Sequence, residues 1–247
     1  MTVPISEENS SVVQGGKKDE YRHSPIDFSF VLASSVHDMK NSLGMLINTL
    51  SAMVEHAPPK DDIQAKFFST LEYEAARINT ELVQLLSFYR MDEHQLALDI
   101  DEHYVSDVLE EQLARNHTLL SACNLSFELC CDPDLVWYFD GELLGGVINN
   151  VLVNCARYSR AKLLVTATVE ANYLCIAVAD DGAGYPDDML LDSSAASPTS
   201  FGSGSTKLGL LFARKVMELH KSKQHQGYLA IANQGPLAGG VLKLYLP

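Results

Sequence analysis

Residues 32–53 read LASSVHDMKNSLGMLINTLSAM. Within them Leu32, Val36, Met39, Leu43, Leu46, Leu50 and Met53 recur at spacings that alternate four and three, the seam of a long amphipathic helix. The helix is expected to stop before Pro58-Pro59, because proline disfavours helical backbone at the residue before it. A second seam follows a short loop: Phe68, Leu71, Ala75, Ile78, Leu82, Leu85 and Tyr89. Two long helices so joined make an antiparallel hairpin. A lone hairpin with such seams leaves apolar surface uncovered, so two copies are expected to pair as a four-helix bundle, a homodimer. The competing arrangement packs the hairpin on the chain's own second half.

Working outward, residues 1–24 are polar and without periodicity, and read as a mobile tail. The hairpin is assigned to 25–91. After Arg90 the stretch MDEHQ reads as a linker, and 92–247 as a second unit. There, LALDID (96–101) alternates like a strand, and 104–121 reads as a helix. Further strands are expected at 125–130, 135–139, 163–169, 173–179, 228–232 and 241–246, and helices near 141–157 and 207–221. A hairpin turn falls at Glu170-Ala171-Asn172. The fold class is therefore α+β, multidomain: a helical hairpin followed by an α/β sandwich. Residues 187–206, rich in Ser, Gly and Asp, read as a long loop of the kind that forms lids.

Composition narrows the function classes. The 247 residues are 47% hydrophobic, enough for a buried core. Lys plus Arg number 18 against 32 Asp plus Glu, a net charge of −14, which argues against non-specific binding to nucleic acid or to an anionic membrane. The five cysteines form no CxxC pair, and the start MTVPISEENSS has no charged-then-apolar signal pattern. No window reaches the ~18 apolar residues of a membrane span. The expectation is a soluble, cytoplasmic chain with reduced thiols.

Four places carry chemistry. In the first helix, His37 lies beside the apolar seam on its exposed flank, followed by Asp38 and, one turn on, Asn41. A neutral imidazole is a nucleophile, a neighbouring carboxylate can take its proton, and an amide can orient water. A lone histidine there equally serves to solvate a charged face. In VINNVLVNCARYS, Asn150 and Asn154 stand four apart on one margin of an apolar stripe, with Arg157 near the helix end. Amide oxygens suit Mg²⁺, which takes its remaining ligands from water and phosphates, and an arginine can reach a phosphate oxygen; the amides can instead cap backbone. Asp180-Asp181-Gly182-Ala183-Gly184 follows an apolar strand, and its carboxylate can accept from an amino group such as adenine's, though strand-end turns commonly use Asp and Gly. Finally Gly202-Ser203-Gly204-Ser205-Thr206-Lys207-Leu208-Gly209 leads into a helix, offering free N–H groups to a polyphosphate or acting only as a linker and cap.

In this order, over about residues 27–247, these segments resemble the sensor histidine kinases of two-component signalling. HDMKN looks like the family's H-box, NNVLVNCARYS its N-box, DDGAGYP its G1 box and STKLGLLFARKVMELH its G2 box, and GGVLKLYLP is similar to its closing strand. The resemblance implies a dimerisation and phosphotransfer hairpin followed by an ATP-binding domain, with no fused sensor. It implies His37 as phosphoacceptor, Asp38 as its assistant and Asn41 as the water-positioning residue of a phosphatase reaction. It implies Asn154 as the Mg²⁺ ligand and Asn150, Arg157, Tyr158, Asp180, Gly182, Gly184, Thr206, Lys207, Leu208 and Gly209 as the ATP site. The implied partners are a response-regulator receiver domain and a separate sensory protein.

Three positions depart from the family pattern. Ser42 stands where many H-boxes carry proline, Lys207 replaces the first glycine of the usual GxG while Ser205 precedes Thr206 in place of another, and Tyr185 replaces an aliphatic residue. Lys207 can obstruct the phosphates or bind them. The adenine half of the site is thus better kept than the phosphate half. The rivals are a degenerate kinase acting as receiver phosphatase or phosphotransfer protein, and a nucleotide-binding dimer that regulates a partner. A serine kinase on the same ATP-binding fold is disfavoured by the long hairpin that bears His37.

Overall fold

The computed structural model describes residues 28–92, 97–191 and 205–247. The polar start 1–24, linker residues 93–96, loop residues 192–204 and the side chains of Leu32, Thr206 and Lys207 lie outside the described residues.

Helices α1 (Phe28–His56) and α2 (Asp62–Asp92) pack as a hairpin. The prolines at 58 and 59 end α1, and Asp61 starts α2: its carboxylate accepts the Gln64 N–H at 2.8 Å, while the Gln64 side chain reaches back to the Lys60 N–H at 3.0 Å. Each seam divides into two heptad registers. Val36 is buried and Leu43 and Leu50 half-buried, whereas Met39, Leu46 and Met53 are 53, 49 and 51% exposed. On α2, Ala75 is buried and Phe68, Leu82 and Tyr89 half-buried, whereas Leu71, Ile78 and Leu85 are 52, 42 and 43% exposed. One register closes the hairpin and the other is left outward.

The second unit is an α/β sandwich. Strands β1 (Asp101–Tyr104) and β3 (Val136–Phe139) form a small antiparallel pair. A mixed five-stranded sheet has the order β2-β4-β5-β7-β6, from β2 (Ser126–Cys131), β4 (Lys162–Glu170), β5 (Tyr173–Asp180), β6 (Tyr228–Asn233) and β7 (Gly240–Leu246). Among the described strands only β2 and β4 pair in parallel. Ala171 and Asn172 both adopt positive φ (47° and 69°), the two-residue turn whose twist suits the β4–β5 hairpin. Alternate residues of three strands (Leu163 and Val165, Leu174 and Ile176, Leu242 and Leu244) point into the core against α3 (Val105–Arg115), α5 (Gly141–Tyr158) and α7 (Ser205–Leu219). There they meet Leu109, Leu144, Ile148, Leu152, Phe212 and Met217, all essentially without solvent contact.

Three expectations are corrected. Residues 97–100 carry no strand; the ladder begins at Asp101, because its partner β3 covers only 136–139. The helix expected over 104–121 breaks at Asn116 into α3 and α4 (His117–Ala122). Asn116 is buried, and its amide donates to the Gln112 carbonyl and to Asn149 Oδ1, both at 2.9 Å. The loop from 187 begins with a short helix, α6 (Asp187–Leu191).

The arrangement held as competitor is present on one side of the hairpin: α2 packs against α4, α5 and α7 of its own chain. Phe88 meets Phe212 edge-on with ring centroids 6.0 Å apart, and Asn149 Nδ2 donates to Thr80 Oγ1 at 3.2 Å.

Candidate functional site

On α1, the His37 side chain is 65% exposed and that of Asp38 80% exposed, so the imidazole is open to a reaction partner. Nδ1 lies 3.8 Å from Asp38 Oδ1 and 3.3 Å from the Asn41 amide nitrogen. The helical spacing predicted for His37 and Asn41 thus brings them into contact. The ring turns one nitrogen toward its own helix, which leaves Nε2 as the outward one.

The second group of candidate residues runs along α5, against which the β5 end (Gly182 on Tyr158) and α7 (Gly209 on Asn150) pack. Asp140 caps α5 by accepting the Leu143 N–H at 2.9 Å through Oδ1. Its other oxygen accepts the Asp99 N–H at 3.1 Å, and its own N–H donates to His220 Nε2 at 3.1 Å. His220 is buried at the end of α7 and donates from Nδ1 to the Val216 carbonyl at 2.8 Å; burial pulls the imidazole below its usual pKa. One residue therefore ties together the chain arriving from the hairpin, the start of α5 and the end of α7.

Along α5, Asn150 is buried and packs on Gly209, where any Cβ would collide with its amide; Asn154, one turn on, is half-buried. Arg157 lies over the Tyr158 ring at 5.3 Å, and its charge also acts on the Tyr73 phenol of α2, whose pKa burial nonetheless raises. Asp180 Oδ1 accepts the Gly182 N–H at 2.7 Å and the Gly240 N–H at 3.3 Å, which fixes the carboxylate at the strand end. Gly182 packs on the Tyr158 carbonyl with no room for a side chain, and Gly184 sits at φ +81°, where glycine carries little strain. Asp181 turns the other way: burial raises its pKa, but N–H donors of Ala161, Arg160 and Lys162 outweigh that and hold it below the usual carboxylate range. Leu208 and Gly209 lie on α7 beside this cluster, Leu208 half-buried and Gly209 buried.

The structure thus sets two contacts along α5, Asn150 with Gly209 and the Tyr158 end with Gly182 and Asp180, while His37, Asp38 and Asn41 lie on the hairpin. Sequence reasoning missed Asp140, His220 and Asn233. Asn233, at the end of β6, accepts the Tyr185 N–H at 2.6 Å and donates to the Tyr185 carbonyl at 2.8 Å. An asparagine at the end of a predicted strand was the one available signal. Among the described residues no three His, Cys, Asp or Glu side chains gather to hold a metal. A neutral amide such as that of Asn154 therefore fits only an ion that brings its other ligands with it, as Mg²⁺ does with water and phosphates. No described helix is long and apolar enough to cross a membrane.

Residues 139–244 match the family described as histidine kinase-, DNA gyrase B-, and HSP90-like ATPase. The sensor histidine kinase CssS of Bacillus subtilis is 24% identical over 196 residues, covering 78% of this chain and 42% of that protein. The sensor protein SrrB of Staphylococcus aureus is 19% identical over 198 residues, covering 76% of this chain and 34% of that protein. The chain therefore spans less than half the length of these curated relatives. Among solved structures, the Acinetobacter baumannii histidine kinase AdeS superposes with a TM-score of 0.54 at 17% identity, over 85% of this chain and 96% of that one, a likeness of fold. The match of the sandwich and the similarity across the hairpin agree: residues 139–244 form an ATPase domain of the kind shared by histidine kinases, DNA gyrase B and HSP90, and the chain over about three quarters of its length is similar to sensor histidine kinases.

Proposed function

We propose that the chain is an ATP-dependent protein-histidine kinase of a two-component system, a homodimer that phosphorylates His37 and passes the phosphoryl group to an aspartate on a separate response-regulator receiver. The observation that carries this reading is the open His37 ring, with a carboxylate and an amide at Nδ1, on the same chain as an ATPase domain. Nε2 attacks the γ-phosphorus; the N–P bond forms as the P–O bond to ADP breaks, and the electron pair leaves with ADP. Attack from Nε2 uses the ring in its Nδ1–H form, and Asp38, 3.8 Å from Nδ1, would take that proton from the resulting cation; the Asn41 Nδ2 contact belongs to the other tautomer, in which Nδ1 accepts. At the sandwich, Asp180 would accept from the adenine amino group. Gly182 and Gly184 shape that turn, with Tyr158 alongside, and the start of α7 (Thr206, Lys207, Leu208, Gly209) would offer N–H groups to the phosphates. Asn150 supports Gly209, Arg157 would meet a phosphate oxygen, and Asn154 would ligate Mg²⁺. Bound there, Mg²⁺ supplies charge neutralisation on the polyphosphate.

The exposed register Met39, Leu46, Met53 and Leu71, Ile78, Leu85 supports pairing of two hairpins into a four-helix bundle. A second reading, dephosphorylation of the receiver, is favoured by the Asn41 amide beside the ring, where it can orient a water.

The test is incubation with γ-labelled ATP and Mg²⁺. Acid-labile, alkali-stable label that disappears in His37→Gln is the expected result. Acid-stable label, or none at any protein concentration, removes the kinase reading. Receiver dephosphorylation that persists without labelling and is lost in Asn41→Ala would establish the second reading in its place.

A further inference from the structure

The position after the DDGAG turn is held with unusual care. Tyr185 is bracketed through its backbone, N–H and carbonyl both, by the single amide of Asn233. Its ring lies against Gly240: a Cβ built there would sit 3.0 Å from Tyr185 Cε2, 3.3 Å from Cδ2 and 3.0 Å from Asp180 Oδ2. One point is thus 3.0 Å from both the ring edge and the carboxylate oxygen, so the Tyr185 ring and Asp180 Oδ2 border the same side of Gly240. Asp180 Oδ1 is already taken by the Gly182 and Gly240 N–H groups, so Oδ2 is the oxygen left for a ligand. Burial, together with the charges of Cys155 and Asp180, pushes the phenol well above its usual pKa. The Cys155 thiol is likewise raised, to about 12. Both stay protonated at neutral pH, which leaves the Tyr185 hydroxyl a donor on the ring that borders the Asp180 acceptor.

That pairing is the complement of one edge of a 6-aminopurine. The amino group donates, and the adjacent ring nitrogen N1 accepts. We infer that Tyr185 is a specificity-determining residue for the nucleotide, its hydroxyl donating to purine N1 while Asp180 accepts from the 6-amino group. The inference rests on the nucleotide-binding reading above. Asn233 is the positioning residue that aims the ring.

The test is a two-by-two binding cycle by calorimetry on the full chain, with Mg²⁺ present. The ligands are ATP and 1-deaza-ATP, in which N1 is replaced by CH; the proteins are wild type and Tyr185→Phe. A neutral hydrogen bond of this kind corresponds to about 3- to 10-fold in affinity. Wild type is expected to lose that factor with 1-deaza-ATP, and Tyr185→Phe to bind ATP weaker by a similar factor while no longer distinguishing the two ligands. Tyr185→Ile, which removes the hydroxyl with a different side chain, should give the same flat result and covers the case in which the phenylalanine variant does not fold. If either folded variant still discriminates as wild type does, or wild type does not discriminate, the role of Tyr185 is overturned while nucleotide binding stands. If wild type binds no ATP, both readings fall.

Discussion

Helix α2 has two unlike faces, and they are the reverse of what burial alone would arrange. Its outward register, Leu71, Ile78 and Leu85, is apolar and exposed. Its inner side buries Glu72, Thr80 and Gln84. Four of the five buried side-chain atoms without a hydrogen-bond partner among the described residues lie on this helix: Glu72 Oε1, Asn79 Oδ1 and both amide atoms of Gln84. The sandwich core between α5 and the sheet has no such tension, with Leu144, Ile148 and Leu152 against Ile176, Leu242 and Leu244. An unpaired buried polar group costs about 1–3 kcal/mol; Glu72 and Asn79 line the cavity between the hairpin and the sandwich, the Gln84 amide does not, and Phe88 on Phe212 anchors the contact. The core is built to persist. The α2 contact is the more polar of the two, and the exposed register is the surface on which the proposed pairing of two hairpins rests.

The largest expected effect tests that register. Ile78→Asp with Leu85→Asp should abolish self-association in sedimentation velocity while leaving the far-ultraviolet circular dichroism of the sandwich in place; an unchanged dimer would mean that the exposed face is not the interface. Next, Gln84→Leu removes two unpaired amide atoms from the inner face. It should stabilise the chain to urea by about 1–3 kcal/mol and slow amide exchange in α2. A loss of stability would show that the amide is satisfied in solution and that the two faces are less different than described. The smallest effect is a pH dependence. Burial holds the Glu72 carboxyl above its usual value. A raised acid contributes stability that is fully present below the unfolded carboxyl pKa and is lost as pH rises through the folded one. Exchange protection of α2 should therefore weaken as pH climbs out of the acid range, and Glu72→Gln should flatten the trend.

Much of this was readable beforehand, for particular reasons. The three-four spacing located both hairpin helices, since a seam depends only on residues close in sequence. The same spacing could not say that Val36, Leu43 and Leu50 close the hairpin while Met39, Leu46 and Met53 stay outside, because the choice belongs to the partner helix. The exposed setting of His37 followed from its place beside the seam. The break at Asn116 did not, because its reason is Asn149, 33 residues away. In the candidate site, Asp180 and its glycines stood out as a local turn. Asn233 did not, because its partner Tyr185 is 48 residues distant. Long-range amide pairs leave no periodic trace in one sequence.

Asp140 has a mechanical meaning beyond capping. The first backbone group beyond the linker that its side chain holds, the Asp99 N–H, is fastened to the same carboxylate that starts α5, and the adjoining peptide N–H is fastened to the far end of α7. Any tug or twist arriving along the chain from the hairpin must either break that knot or be handed on to α5 and α7. The joint between the halves of the molecule works as a rein rather than a tether.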